Sequence, residues 1–292
     1  MKKLICFLML TITAGNQVFA EVPNKEKKAL IEFYDATNGK EWVKTWNLDE
    51  PVSTWHGVTV TNGHVSQINL FRNNLVGLVP ESIGRLEHLE ILNLAFNSIS
   101  GELPKDLVRL KDLKVLRLEM NRLKGSLPEA LGKMEKLEEL VMFNNLLTGS
   151  IPESIGNLVN LRVLNLSSNL LKGIIPGSLG NLVHLQSLGL FENNLEGAIP
   201  TEVGNLTSLR ELVLANNQLE GDIPKEFGQL ASLRILQIQN NKFNSFKSLQ
   251  SMDEARFTVF DYDKKEDTQN FKDVDFSRTR MADTKFEDDN DE

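Results

Sequence analysis

From Val65 an apolar residue returns every 24 positions, as Leu89, Leu113, Leu137, Leu161, Leu185, Leu209 and Leu233. Other positions repeat in phase with it. Three residues on stand Ile68, Leu92, Leu116, Leu140, Leu164, Leu188, Leu212 and Leu236; five on stand Leu70, Leu94, Leu118, Met142, Leu166, Leu190, Leu214 and Ile238. Eight on, every unit carries asparagine: Asn73, Asn97, Asn121, Asn145, Asn169, Asn193, Asn217 and Asn241. Ten on is apolar again, from Leu75 to Phe243. Seven units then add a glycine, Gly77 to Gly221, and a proline, Pro80 to Pro224. Eight units in phase without an insertion restrict the chain to a stacked-repeat fold. Its 292 residues would otherwise permit one or two ordinary domains.

The spacing of two between offsets three and five predicts a strand that turns alternate side chains inward. A strand that short cannot bury its face alone, so units must stack and their strands pair in parallel. Asparagine both donates and accepts. At the exit from the strand its amide suits backbone groups that a turn leaves unpaired. Glycine admits a tight or left-handed turn, and proline fixes φ and helps to end the local strand. Later apolar pairs, such as Ile83 with Leu86 or Ile155 with Leu158, pack the convex side. Only residues 81–88 separate the first proline from the next unit, which predicts short 3₁₀ turns there instead of a long α-helix.

The unit LxxLxLxxNxLxGxIPxxLGxL resembles the leucine-rich repeat family. Within it, the unit is similar to the plant-specific subclass of plant receptor-kinase ectodomains and secreted bacterial relatives. The resemblance covers residues 65–243, as seven full units and one partial. It implies an α/β fold: a curved, twisted horseshoe solenoid with a parallel β-sheet on the concave face and 3₁₀ turns on the convex face. It also implies a small second strand near each Gly-x-Ile-Pro. Residues 21–64 are similar to the family's amino-terminal cap. Leu30, Ile31, Phe33 and Tyr34 lie at helical spacing, Asn38-Gly39 stops that helix, and Trp42, Trp46 and Trp55 follow. Tryptophans at a solenoid end are expected to seal it, with a carbohydrate platform as the alternative. Plant caps carry a cysteine pair beside Trp-x-Gly-Val. Here His56 stands between Trp55 and Gly57 with no cysteine nearby, which suits a bacterial member.

The two ends read differently from the middle. Met1-Lys2-Lys3, an apolar run over 4–12 and Val18-Phe19-Ala20 before Glu21 read as a signal peptide over 1–20, hence a secreted or cell-envelope protein. That run is too short for a membrane span, and no later stretch is long enough. The only cysteine, Cys6, lies inside the run, so neither a disulfide nor a lipid anchor is expected. Residues 244–260 read as a closing cap, with Phe246, Leu249, Met252, Phe257, Val259 and Phe260 covering the last unit. Residues 261–292, with twelve acidic against six basic side chains, read as a solvated, disordered tail.

A net charge of −8 argues against a nucleic-acid partner. Catalysis has no constellation to support it. His56, His64, His88 and His184 are scattered along the chain, no metal-ligand spacing occurs, and neither cofactor nor metal is expected. Asn165-Leu166-Ser167 and Asn205-Leu206-Thr207 match a glycosylation pattern but read as repeat positions. Specificity belongs to the outward positions of the concave sheet, where units vary. Large apolar side chains recur there, at Phe71, Phe96, Met120, Phe143 and Phe191, with Arg72, Arg117, Glu119 and Glu192 to orient a ligand. Aromatics and arginine are the types enriched at binding hot spots. The expectation is therefore a non-enzymatic recognition module for a protein or peptide. A glycan or cell-wall adhesin, or an envelope accessory protein without a discrete ligand, are the alternatives.

Overall fold

The computed structural model describes residues 22–263. The signal expected over 1–20 and the tail from 264 onward lie outside the described residues. Offsets three and five decide the architecture, because the columns Ile68 to Leu236 and Leu70 to Ile238 are buried in every turn. Their burial stacks one short strand per turn into a ten-stranded sheet. It opens with Val58–Thr61, antiparallel to His64–Asn69. It continues in parallel through Ile91–Asn93, Val115–Arg117, Glu139–Val141, Val163–Asn165, Ser187–Gly189, Glu211–Val213, Ile235–Gln237 and Val259–Asp261. The repeat itself sets the register: Leu92 pairs with Leu116, and Leu140 with Leu164.

A second strand per turn builds two four-stranded parallel sheets on the flank. The first comprises Val76–Leu78, Ser98–Gly101, Arg122–Ser126 and Leu146–Thr148; the second Lys172–Gly173, Asn194–Ala198, Gln218–Asp222 and Lys242–Ser245. On the convex side, 3₁₀ helices from Glu81–Arg85 to Lys225–Gln229 each begin directly after a repeat proline. The result is an α/β solenoid with a parallel sheet on one side and 3₁₀ turns on the other.

The asparagine column ties successive turns together. Asn145 Nδ2 donates to the carbonyls of Leu118 in the preceding turn and of Met142 in its own, while its Oδ1 accepts from the amide of Leu123. Asn121, Asn169, Asn193, Asn217 and Asn241 repeat this scheme, as does Asn97, whose Oδ1 also takes the amide of Asn73. Asn73 has no preceding turn and grips the cap instead: its Oδ1 accepts from the amide of Lys44 and its Nδ2 donates to the Lys44 carbonyl.

Both ends are sealed by aromatic side chains. The helix Asn24–Ala36 buries Ala29, Leu30, Phe33 and Tyr34. Against it stand Trp42, Trp46 and Trp55, each no more than 5% exposed, with Trp46 and Trp55 stacked at 4.8 Å. So little exposed ring face leaves no carbohydrate platform there. Glu26, fully buried, accepts from the Val65 amide at 2.8 Å and lies 2.7 Å from His64 Nδ1. At the other end, Val259–Asp261 extends the concave sheet by one strand, so Asp261 belongs to regular structure and not to the tail. Phe257, Phe260 and Tyr262 fall 24 residues after Leu233, Leu236 and Ile238 and continue the period in aromatic form.

Candidate functional site

The concave lining is set by which backbone positions face out of the sheet. Regular strand covers only offsets two to four in most turns; offsets six and seven lie on the turn just beyond it. At offset seven the chain takes the left-handed conformation in every turn, with φ between +48° and +58° at Arg72, Phe96, Met120, Asn144, Ser168, Glu192, Asn216 and Asn240. A side chain with a Cβ is uncommon there. The ladder nonetheless continues past the strand, since Phe96 N donates to the Glu119 carbonyl and Met120 N to the Phe143 carbonyl.

The expected site residues fall into two groups. In the first four turns, Phe71 and Phe96 are half-buried and meet edge-on, with ring centroids 5.2 Å apart. Arg72 beside them is exposed. Arg117, half-buried, donates from Nη2 and Nε to Glu139 Oε2 at 2.7 and 3.1 Å. Met120 Sδ accepts from Asn144 Nδ2, and half-buried Phe143 completes the group. Phe191 and Glu192 stand apart in the sixth turn, about 10 Å beyond Phe143 at the usual strand spacing. There Glu192, exposed, accepts from Ser168 Oγ at 2.8 Å.

Glu119 departs from the expectation of an open, ligand-orienting carboxylate. It is 1% exposed, and its Oε2 has no hydrogen-bond partner. Burial, reinforced by the Glu139 carboxylate, pushes its pKa up to about 7, against opposing effects of its own backbone amide and of Arg117. A buried carboxyl of this kind is held neutral below that pH and then offers a hydroxyl donor as well as an acceptor.

Two features lay hidden in the linear sequence. Glu139, at offset two, is the acceptor that fixes Arg117. His64 and His88 lie one period apart, which brings their rings to 4.1 Å, with Asp112 3.4 Å from His88 Nδ1. Reading the chain in steps of 24 would have found the histidines with Asp112, and a step of 22 the Arg117–Glu139 pair. Among the described residues no group of three or more His, Cys, Asp or Glu is placed to hold a metal ion, and no helix is long and apolar enough to cross a membrane.

A family profile described as a leucine-rich repeat region matches residues 68–173 and 153–274. Among solved structures, the chain is similar to the ectodomain of the plant membrane receptor kinase GASSHO1/SCHENGEN3 from Arabidopsis thaliana, in complex with CASPARIAN STRIP INTEGRITY FACTOR 2. Identity is 36% and the TM-score 0.77, over 81% of this chain and 29% of that one. It is similar to PEPR1 in its AtPEP1 structure at 31% identity and TM-score 0.71, over 76% of this chain and 32% of that one. The Arabidopsis receptor kinase HAESA, in complex with the peptide hormone IDA and the co-receptor SERK1, matches at 29% identity and TM-score 0.67, over 82% and 45%. The chain thus spans less than half the length of these receptors' solved chains. A comparison with curated proteins returned no match.

Proposed function

The chain belongs to the leucine-rich repeat family, and we propose that it is an exported recognition module that holds a protein or peptide segment along its concave face. The observation that carries this reading is the half-buried aromatic lining of the first four turns, the edge-on Phe71–Phe96 pair and Phe143. Large apolar side chains left partly open on such a lining mark a contact surface. Arg117, held by Glu139, supplies orientation beside them. The peptide hormone IDA in the HAESA complex supports the class of ligand. Export rests on the basic start, apolar run and Val-x-Ala ending of residues 1–20.

The test is selection of a random peptide library on the immobilised protein, followed by calorimetry of the selected peptides. Phe143→Asp is expected to weaken them at least tenfold, while Val159→Asp, an exposed convex change, leaves affinity within twofold. Equal affinity for wild type and Phe143→Asp would remove the concave face as the site.

A further inference from the structure

The flanking sheets carry an exposed apolar patch that the concave site does not use. Leu146, Leu170 and Ile174 are 50%, 49% and 58% exposed, and they lie in two adjacent turns at the centre of the flank. These turns are held edge to edge: Leu170 N donates to the Leu147 carbonyl and Lys172 N to that of Gly149. Alternation within the flank strands sets which side chains face out. In Asn194–Ala198 and Gln218–Asp222 the glycine and the leucine turn inward, and the other three residues are exposed. The outward set is therefore offsets nine, eleven and thirteen of every turn.

Apart from Glu102 in the second turn and Lys242 in the eighth, charge on this face is ordered by turn. On one side of the patch the third turn presents Arg122 and Lys124. On the other, the sixth presents Glu196 and the seventh Glu220 and Asp222, all exposed. Among the described residues none of these side chains joins an ion pair. Such an arrangement is complementary to itself. A two-fold axis along the fifth strand, in the plane of the face, brings the third turn of one copy over the seventh of the other. Lys124 then faces Glu220 at the same offset. Leu170 and Ile174 face their own counterparts at the axis, where closed two-fold contacts concentrate. Lys172 also meets itself there, but each lysine lies one strand, ~4.8 Å, from the Glu196 position of its own chain, and the other copy's Glu196 sits over the turn on its opposite side.

We propose that the flank is a homodimer interface, with a second copy of this chain seated face to face on Leu146, Leu170 and Ile174 and aligned by Lys124 against Glu220. Turns two to eight make a face about 29 Å long at the usual strand spacing. A face of that length is toward the small end of specific interfaces, which fits a reversible dimer. The concave face stays open in it, and peptide binding there is neither required nor blocked.

Sedimentation equilibrium of the full chain at 50 mM salt tests this. The expected result is a monomer–dimer equilibrium with Kd of roughly 1–100 µM that weakens at 500 mM salt, as steering by exposed charges requires. Ile174→Asp is expected to raise Kd at least tenfold with an unchanged circular dichroism melt. Lys124→Glu and Glu220→Lys each raise it, and the double reversal restores it. A photo-crosslinking residue at Leu170 is expected to join two chains. A monomer at 0.2 mM, a dimer indifferent to Ile174→Asp, a double reversal no better than either single change, or a crosslink confined to one chain would each overturn the interface.

Discussion

Single residues in this solenoid carry chemistry that their neighbours impose. Glu119 shows it most clearly, because its carboxyl titrates at about 7 in the folded protein against an ordinary value of 4.5. The folded state thus binds this proton more tightly than the unfolded chain does. Stability contributed here is fullest below pH 4.5, declines as pH rises toward 7, and is level above it. The shift corresponds to at most roughly 3 kcal/mol. Glu119→Gln keeps the shape and removes the ionisation. Urea midpoints of the variant are expected to lose this decline and to exceed wild type at pH 8. Matching pH profiles for the two proteins would show that Glu119 ionises without cost in the folded state.

At the scale of the element, each strand depends on an amide from the following turn. Asn145 satisfies the carbonyls of Leu118 and Met142 and the amide of Leu123, all within the stack. Asn145→Ala orphans these groups at roughly 1–3 kcal/mol each. A loss of at least about 3 kcal/mol in chemical denaturation is expected, against less than about 0.5 for Asn157→Ala, exposed at the end of the next 3₁₀ turn. Asn145→Asp should be no better, since a carboxylate keeps the acceptor but sets negative charge against two carbonyls. These columns were legible in the sequence because identical geometry demands identical chemistry at offsets three, five and eight. The left-handed residues were not. Arg72, Phe96, Met120 and Glu192 share one backbone conformation but no side-chain type, so no residue pattern marks it. The burial of Glu119 was hidden for a related reason: offset six is buried also at Ala95, Ser167 and Ala215, while its phenylalanines make the column read as open. The last strand was missed because aromatics replace leucines there. Phe257 and Phe260 keep the period while losing the pattern.

For the molecule as a whole, stability is a chain of neighbour contacts closed by two aromatic seals. A turn in the middle is therefore dispensable where an end is not. Deleting residues 161–184 joins Asn160 to Leu185 and preserves phase, because Leu185 takes the place of Leu161. The shortened protein is expected to unfold cooperatively, with a urea m-value lower by roughly a tenth in proportion to the surface removed. It should also lose the dimer, since Leu170 and Ile174 go with the turn. Deleting residues 22–64 removes less than two turns' worth of chain but takes the buried Phe33, Trp42, Trp46 and Trp55, the grip of Asn73 on Lys44, and the Glu26 contact to Val65. It opens the column at Val65, Ile68 and Leu70 to water and leaves the edge of the first parallel strand bare, which invites aggregation. A broad, non-cooperative transition or loss of soluble protein is expected for this truncation. If instead the internal deletion lost cooperativity and the cap deletion kept it, stability would reside in a particular central turn and not in the sealing of a uniform stack.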